Sequence, residues 1–209
     1  MSLHVVDHPL VAHRVAVLRD ATTGSAEFRR VTGELAGFLV YEATRALPTR
    51  AGAVVTPLGL EAATSTLVDH QPLLVPILRA GLALLEGALT AVPTAEVGLV
   101  GLARDEETKQ PTPYCVRLPA DLAATTALVL DPMLATGGSL AWTCELLAER
   151  GVARVAAVCL LAAPPGVELM ASRCPDVDIV VAALDPELDE RAFIVPGLGD
   201  AGDRLYGRV

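Results

Sequence analysis

The sequence predicts an α/β fold, a mainly parallel central sheet flanked by helices, and three observations predict it. From Leu73 to Leu184 short apolar runs alternate with helical runs of about ten residues, the pattern that right-handed βαβ crossovers produce. The apolar runs are continuous, as strands covered on both faces require, and the chain is 52% hydrophobic with a mean hydropathy of +0.48. One such run, Ala127 to Leu130, ends in Asp131 and passes through a small-residue loop into a helix, which is how open α/β sheets present a ligand site. With 209 residues and neither internal repeat nor low-complexity tract, the whole chain, 1–209, reads as a single domain.

Taken in order, the amino terminus from Met1 to Val17 carries Asp7, three histidines and Arg14, so it lacks the apolar segment of a signal peptide. Between Ser25 and Arg45 the residues Phe28, Val31, Leu35, Phe38 and Leu39 recur at three- and four-residue steps, with Arg29, Arg30, Glu34 and Glu42 between them. That is an amphipathic helix. After Pro48 the segment to Thr66 mixes Val54 and Val55 with Pro57 and Gly59 and reads as an irregular or hairpin-like excursion. Strands are expected at Leu73 to Leu78, Val97 to Leu102, Tyr114 to Leu118, Ala127 to Leu130, Val155 to Leu161 and Asp178 to Leu184. Helices are expected at Leu82 to Ala91, at Leu140 to Arg150, where Gly151 stops the run, and near Val167 to Arg173.

A formal charge of −9 argues against a broad surface for nucleic-acid phosphates and leaves room for a few arginines inside a pocket for a small anion. The longest apolar run, Val155 to Ala163, is nine residues and cannot span a bilayer as a helix, so a cytoplasmic protein is expected. Cys115, Cys144, Cys159 and Cys174 form no Cys-x-x-Cys pair and read as reduced thiols, three of them in apolar element patterns.

Three segments carry chemistry. In Asp131-Pro132-Met133-Leu134-Ala135-Thr136-Gly137-Gly138-Ser139, a strand-end carboxylate precedes hydroxyls and unhindered backbone N–H groups at a helix start, where the dipole favours an anion. An acid beside an anion site suits a sugar phosphate, with ribose hydroxyls on the acid and the phosphate on the loop. No Gly-Lys-Ser/Thr is present, so this is not a Walker A loop. In Pro76-Ile77-Leu78-Arg79-Ala80-Gly81, an arginine closes a buried strand, which suits either an anionic ligand or a structural pair with a carboxylate. The stretch from Arg104 to Pro113, with Lys109 near its tip, reads as a charged loop, either a solvated connection or a lid that brings positive charge over a leaving anion.

Two motifs mislead. Gly197-Leu198-Gly199-Asp200-Ala201-Gly202 matches the dinucleotide pattern Gly-x-Gly-x-x-Gly, but only seven residues follow it, leaving no room for a pyrophosphate helix and a second strand. Gly137-Gly138-Ser139-Leu140-Ala141 approaches a hydrolase nucleophile elbow, yet His4, His8, His13 and His70 all precede the serine, where that elbow needs a later histidine.

Together these segments resemble the uracil phosphoribosyltransferases over nearly the whole chain. The resemblance rests on Asp131 to Ser139, on Pro76 to Gly81, on Tyr41-Glu42-Ala43-Thr44, and on Pro196-Gly197-Leu198-Gly199-Asp200-Ala201-Gly202-Asp203, in order and in register. It implies a type I phosphoribosyltransferase-like fold with a small hood from the C-terminal segment. It implies transfer of the phosphoribosyl group of 5-phospho-alpha-D-ribose 1-diphosphate (PRPP) to N1 of uracil, giving UMP and diphosphate. Mg²⁺ would be carried mainly by the diphosphate of PRPP, with no dedicated protein ligand. By resemblance, Arg79 and Arg104 hold the diphosphate and Asp131 the ribose hydroxyls. Pro132, Met133 and Leu134 line the donor site, Ala135, Thr136, Gly137, Gly138 and Ser139 take the 5′-phosphate, and Asp200 touches the donor. Uracil is read by main-chain groups near Ile194, Gly199, Asp200 and Ala201, which suits a glycine-rich tail. Arg104, Asp131 and Asp200 are the catalytic candidates. The resemblance further implies a homo-oligomer, dimer or tetramer, with GTP as an activator.

Phe193 and Ala103 stand where the family commonly has tyrosine, and residues 50–66 match its pattern poorly. Two other readings compete. A pyrimidine-sensing RNA-binding regulator on the same fold would need a basic face, which the −9 charge and the lack of a Lys/Arg cluster disfavour. The same transfer to another base, such as a purine, differs only in how the tail reads its ligand.

Overall fold

The computed structural model describes residues 1–68, 72–104, 111–123 and 125–207. The chain opens with β1 (Leu3–Val5), α1 (Pro9–Arg19) and α2 (Ser25–Ala43), then β2 (Thr49–Val55) and β3 (Glu61–Leu67). The alternating part follows: β4 (Leu73–Leu78), α3 (Leu82–Ala91), β5 (Glu96–Val97), β6 (Leu99–Arg104), β7 (Pro111–Arg117), β8 (Thr126–Leu130) and β9 (Met133–Leu134). Then come α4 (Gly138–Glu149), β10 (Arg154–Ala162), α5 (Pro164–Arg173), β11 (Asp178–Leu184), β12 (Glu187–Leu188), β13 (Ile194–Val195) and α6 (Ala201–Tyr206).

The main sheet runs β1-β11-β10-β8-β4-β6-β7, parallel except for the antiparallel β6–β7 pair at one edge. Its two faces bury separate cores. Leu74, Leu128, Leu130, Val158 and Leu160 meet α1, α2 and α3 through Val15, Leu18, Phe28, Leu35, Leu39 and Leu84. On the opposite face, Val75, Ile77, Val129, Ala157, Cys159 and Val181 meet α4 and α5 through Leu140, Cys144, Leu147 and Met170. Residues that alternate along each strand therefore enter opposite cores, which is why the strands read as continuous apolar runs.

Several elements differ from the sequence expectation. Residues read only as an amino terminus form an edge strand and a helix, capped by His8, whose Nδ1 accepts from the N–H of Leu10 at 3.1 Å. Of the two expected forms of the excursion after Pro48 the hairpin is the one present, and it is regular and antiparallel, with Thr49 paired to Leu67 and Val55 to Glu61, exposed on almost every residue. The run begun at Val97 divides into β5 and β6 at Gly98. The charged loop is shorter than expected, because Pro111, Thr112 and Pro113 already pair with Arg104, Ala103 and Leu102. A six-residue helix, α6, does follow the glycine-rich tail; no strand follows it among the described residues, so no dinucleotide unit is built there. The expected hood is the ribbon of β12 and β13 with α6, anchored in the α1–α2 core by Ile194, Leu198, Ala201 and Leu205.

Cys144, Cys159 and Cys174 are buried free thiols, and Cys115 is half-buried. Among the described residues no helix is long and apolar enough to cross a membrane.

Candidate active site

The chain leaves β4 towards β6 on one side of the sheet and leaves β8 towards β10 and β11 on the other. The carboxyl ends of β4 and β8 therefore diverge and open a crevice at the topological switch point, where sheets of this kind bind ligands. Register pairs Val75 with Val129 and Pro76 with Leu130, so the Arg79 turn and Asp131 emerge side by side. Gly81 fixes how close they come. A Cβ there would lie 2.3 Å from the Leu130 carbonyl oxygen and 2.6 Å from Ile77 N and O, so only glycine lets the turn lie against β8. The Leu78–Arg79 peptide is cis. Arg79 itself is exposed, and among the described residues it makes no ion pair with a carboxylate, so the alternative of a structural pair has no partner to support it.

Asp131 sits on the β8 end, its N–H bonded to Val158 O at 3.2 Å. Burial raises its carboxyl from 3.8 to about 7, opposed by a hydrogen bond from the Met133 N–H. The buried Cys159 thiol lies close enough for the Asp131 carboxylate to add to the upward push of burial on that thiol. From Asp131 the chain follows β10 through Pro132, Met133 and Leu134, with Pro132 O accepting from Leu160 N at 2.9 Å. Ala135 and Thr136 then turn into α4, whose N-cap Gly137 takes the left-handed conformation at φ 81°. Ala141 is the first residue of α4 whose N–H reaches an acceptor on the cap, Gly137 O at 2.9 Å. The N–H groups of the preceding turn are thus left for an anion at the positive end of the helix.

The hood holds a cleft of its own. Its volume is about 740 Å³, and it is lined by Arg191, Phe193, Gly199, Asp200, Asp203 and Arg204. Asp200 caps α6, its Oδ1 accepting from the Asp203 N–H at 2.8 Å, while Ile194 and Ala201 are buried beside it. Arg79 and Arg29 act electrostatically on the Tyr206 phenol, whose pKa burial raises and these cations lower, so the Arg79 turn and α6 share one field. The structure thus brings Arg79, Asp131 to Ser139 and the hood residues to one end of the sheet. Arg104 closes β6 by pairing with Pro111, but its side chain and residues 105–110, Lys109 included, lie outside the described residues.

Sequence reasoning missed Asp185 and Arg19. Asp185, 4% exposed, follows the apolar strand β11 and precedes Pro186, the same arrangement as Asp131 before Pro132 after β8. Arg191 was also missed as a lining residue; its guanidinium lies 5.3 Å from the ring centre of Phe193, which the resemblance places at a family tyrosine position near the base.

The model of the uracil phosphoribosyltransferase family matches residues 5–208. The chain belongs to the uracil phosphoribosyltransferase family. A member from Beutenbergia cavernae is 53% identical over all of both chains, one from Streptomyces avermitilis 52% over 99% of each, and one from Halalkalibacterium halodurans 50% over 98% of each. A solved protein of Aquifex aeolicus superposes with a TM-score of 0.92 at 38% identity, covering 98% of both chains. A hypoxanthine phosphoribosyltransferase of Trypanosoma cruzi shares the fold at TM-score 0.51 and 13% identity, over 78% of this chain and 77% of its own. As a uracil phosphoribosyltransferase the chain is an enzyme, a glycosyltransferase of pyrimidine salvage.

Proposed function

We propose that this chain forms UMP and diphosphate from uracil and PRPP in the crevice between the ends of β4 and β8 and the hood. The observation that carries this is the convergence at the switch point of an exposed arginine with no carboxylate partner among the described residues, a buried carboxyl and an open helix start. Arg79 and Arg104 take the diphosphate. Asp131 accepts from the ribose hydroxyls, Pro132 to Leu134 line the donor site, Ala135 to Ser139 hold the 5′-phosphate, and Asp200 touches the donor from the hood. Uracil lies against the backbone of Ile194, Gly199 and Ala201.

The chemistry follows from charge. As the bond from ribose C1 to the diphosphate oxygen breaks, positive charge builds on the sugar and negative charge on the leaving group. The bond from uracil N1 to C1 forms as the N1 proton is lost to solvent. Guanidinium groups set in advance around the diphosphate stabilise that separation, and no covalent nucleophile is required. Ionised Asp131 orients the ribose and offsets charge on the ring.

The donor set fits a cation that arrives with substrate. Among the described residues no cluster of three His, Cys, Asp or Glu could hold a metal, and in this reading the buried Asp131 carboxyl lies on the ribose side. Mg²⁺ binds in this way through substrate phosphates and few carboxylates, and when bound it neutralises the leaving diphosphate. Asp131 is the residue that would meet it on the ribose side.

The same reading makes the protein cytoplasmic and a homo-oligomer, dimer or tetramer. The exposed apolar residues Val54, Val55, Leu58 and Leu60 on the β2–β3 hairpin support a contact between copies. Activation by GTP rests on the family resemblance alone. The test is UMP formation by purified protein with uracil, PRPP and Mg²⁺, beside cytosine, hypoxanthine and no base, with and without GTP. Turnover with uracil alone is expected. Turnover with another base would overturn the base assignment, and none with any base or with GTP would overturn the reading.

A further inference from the structure

Gly197 lies between the base-reading positions Ile194 and Gly199, in a loop that no β-ladder holds. Its φ is +60°, and a Cβ would fall 2.0 Å from Ile194 O, so the loop takes this path only with glycine. Both polar groups of Gly197 are occupied by side chains. Its carbonyl accepts from Arg19 Nη1 at 2.8 Å, and its N–H donates to Asp185 Oδ2 at 3.0 Å. Those two side chains are themselves joined by a fork, Nη1 to Oδ2 at 2.8 Å and Nη2 to Oδ1 at 2.6 Å. Arg19 comes from the last turn of α1 and Asp185 from the end of β11, so two elements far apart in sequence converge on one residue.

Stability alone does not account for this arrangement. The Asp185 side chain is 5% exposed and that of Arg19 26%, and a pair so placed is often replaceable by apolar residues without loss of stability. What the pair adds is position. A base read by main-chain donors and acceptors is recognised only as well as the path of the chain is fixed, within about 0.5 Å for a functional site. On the far side of Gly197, Arg204 Nη1 donates to Leu198 O at 3.0 Å and Nη2 to Asp20 O at 2.6 Å, with the guanidinium 4.3 Å from the Phe28 ring centre. The loop is thus fixed to the end of α1 from both sides.

We propose that Arg19 and Asp185 are positioning residues for base recognition, clamping Gly197 so that the Ile194-to-Ala201 backbone meets uracil in one register. This rests on the reading above that uracil lies against that backbone. The donor half of the site is built mainly from the ends of β4 and β8, which the clamp does not touch, with Asp200 its contact from the hood, so loss of the clamp falls more heavily on the base than on PRPP.

The test measures KM for uracil and for PRPP, kcat and Tm in Asp185→Asn, Arg19→Lys and the double variant Arg19→Met/Asp185→Leu. Each single variant is expected to raise KM for uracil roughly 10- to 100-fold, and KM for PRPP by a much smaller factor. Asp185→Asn, which keeps an acceptor for the Gly197 N–H, should show the smaller rise. The double variant leaves no unpaired charge, so its Tm should recover above those of the single variants while KM for uracil stays raised. A merely structural pair would instead move Tm and leave the ratio of the two KM values unchanged, as Leu147→Ala in the opposite core should do. Folded single variants with wild-type KM for uracil, or with both KM values rising by the same factor, would overturn the proposal. Gly199→Ala separates the two levels. If it raises KM for uracil while the clamp variants do not, the clamp fails and the base site stands; if neither does, the base site itself is misplaced and the clamp falls with it.

Discussion

Replacing Asp131 by asparagine should cost the enzyme its rate and relieve the fold of a pH-dependent penalty. Burial raises the folded carboxyl from 3.8 to about 7, so the folded chain keeps this proton to higher pH than the unfolded chain does. The stability contributed by that proton is fully present below 3.8 and is lost as pH rises through about 7. At about 1.4 kcal/mol per pH unit the whole window is worth about 4 kcal/mol. The practical part, from pH 5 to pH 8, is worth about 3 kcal/mol. Urea unfolding of wild type and Asp131→Asn at half-unit steps across pH 5 to 8 measures it, because the carboxylates common to both proteins cancel in the difference. The variant should gain on wild type by about 3 kcal/mol across that range, with most of the change below pH 7. Its kcat/KM for PRPP should fall by about 100-fold or more, and that of wild type should decline as pH drops below about 7. A stability difference that stays constant with pH would refute the raised carboxyl, and full activity in the variant would refute its role on the ribose.

Arg79→Ala should leave stability within about 0.5 kcal/mol of wild type, since the exposed side chain has no carboxylate partner among the described residues, and should cut kcat about 100-fold. Arg104→Ala should likewise fold and lose most turnover; wild-type kcat in either variant would sink its place on the diphosphate. Gly81→Ala should destabilise by about 1–3 kcal/mol in urea and raise KM for PRPP, because its Cβ meets backbone at 2.3 Å. EDTA should abolish turnover, and Mg²⁺ should restore it, without moving the Tm of the protein alone; a large fall in Tm would reveal an ion held by the chain itself.

How much of this was legible in the sequence depended on burial. Leu73–Leu78, Leu82–Ala91 and Asp178–Leu184 were read residue for residue, because strands enclosed on both faces and the helix between them leave unambiguous apolar runs. β7 was read too short because Pro111 and Pro113 argue against a strand, yet β7 is the sheet edge, where a missing N–H leaves no partner unsatisfied. The β2–β3 hairpin gave no period-two signal because neither of its faces is covered. In α1 the spacing of Val11, Val15 and Leu18 was present, but charged and histidine residues interrupt it. The donor side of the site was legible because strand, acid and glycine loop are adjacent in sequence. The hood's support was not, because Arg19, Asp185 and Gly197 meet only in space.

The two acids that end buried strands show how the same local signal serves two purposes. Asp131 and Asp185 each follow an apolar strand and precede a proline. Asp185 receives the Arg19 fork and the Gly197 N–H, so both of its oxygens are occupied within the protein. Asp131 receives the Met133 N–H but no cation among the described residues, and its carboxyl is raised accordingly. A carboxyl kept in that state works against folding above its pKa by about 4 kcal/mol, a large share of the stability of an ordinary domain. Among the described residues no cation pairs with the acid at the end of β8, and an amide, which still accepts from the Met133 N–H, would fold better there. In the proposed reading the cost is offset when a ligand brings hydroxyl donors and positive charge to the strand end, as a ribose and a diphosphate carrying Mg²⁺ would. On that same reading the partnered acid sets the shape of the site, and the one without a cation among the described residues takes the substrate.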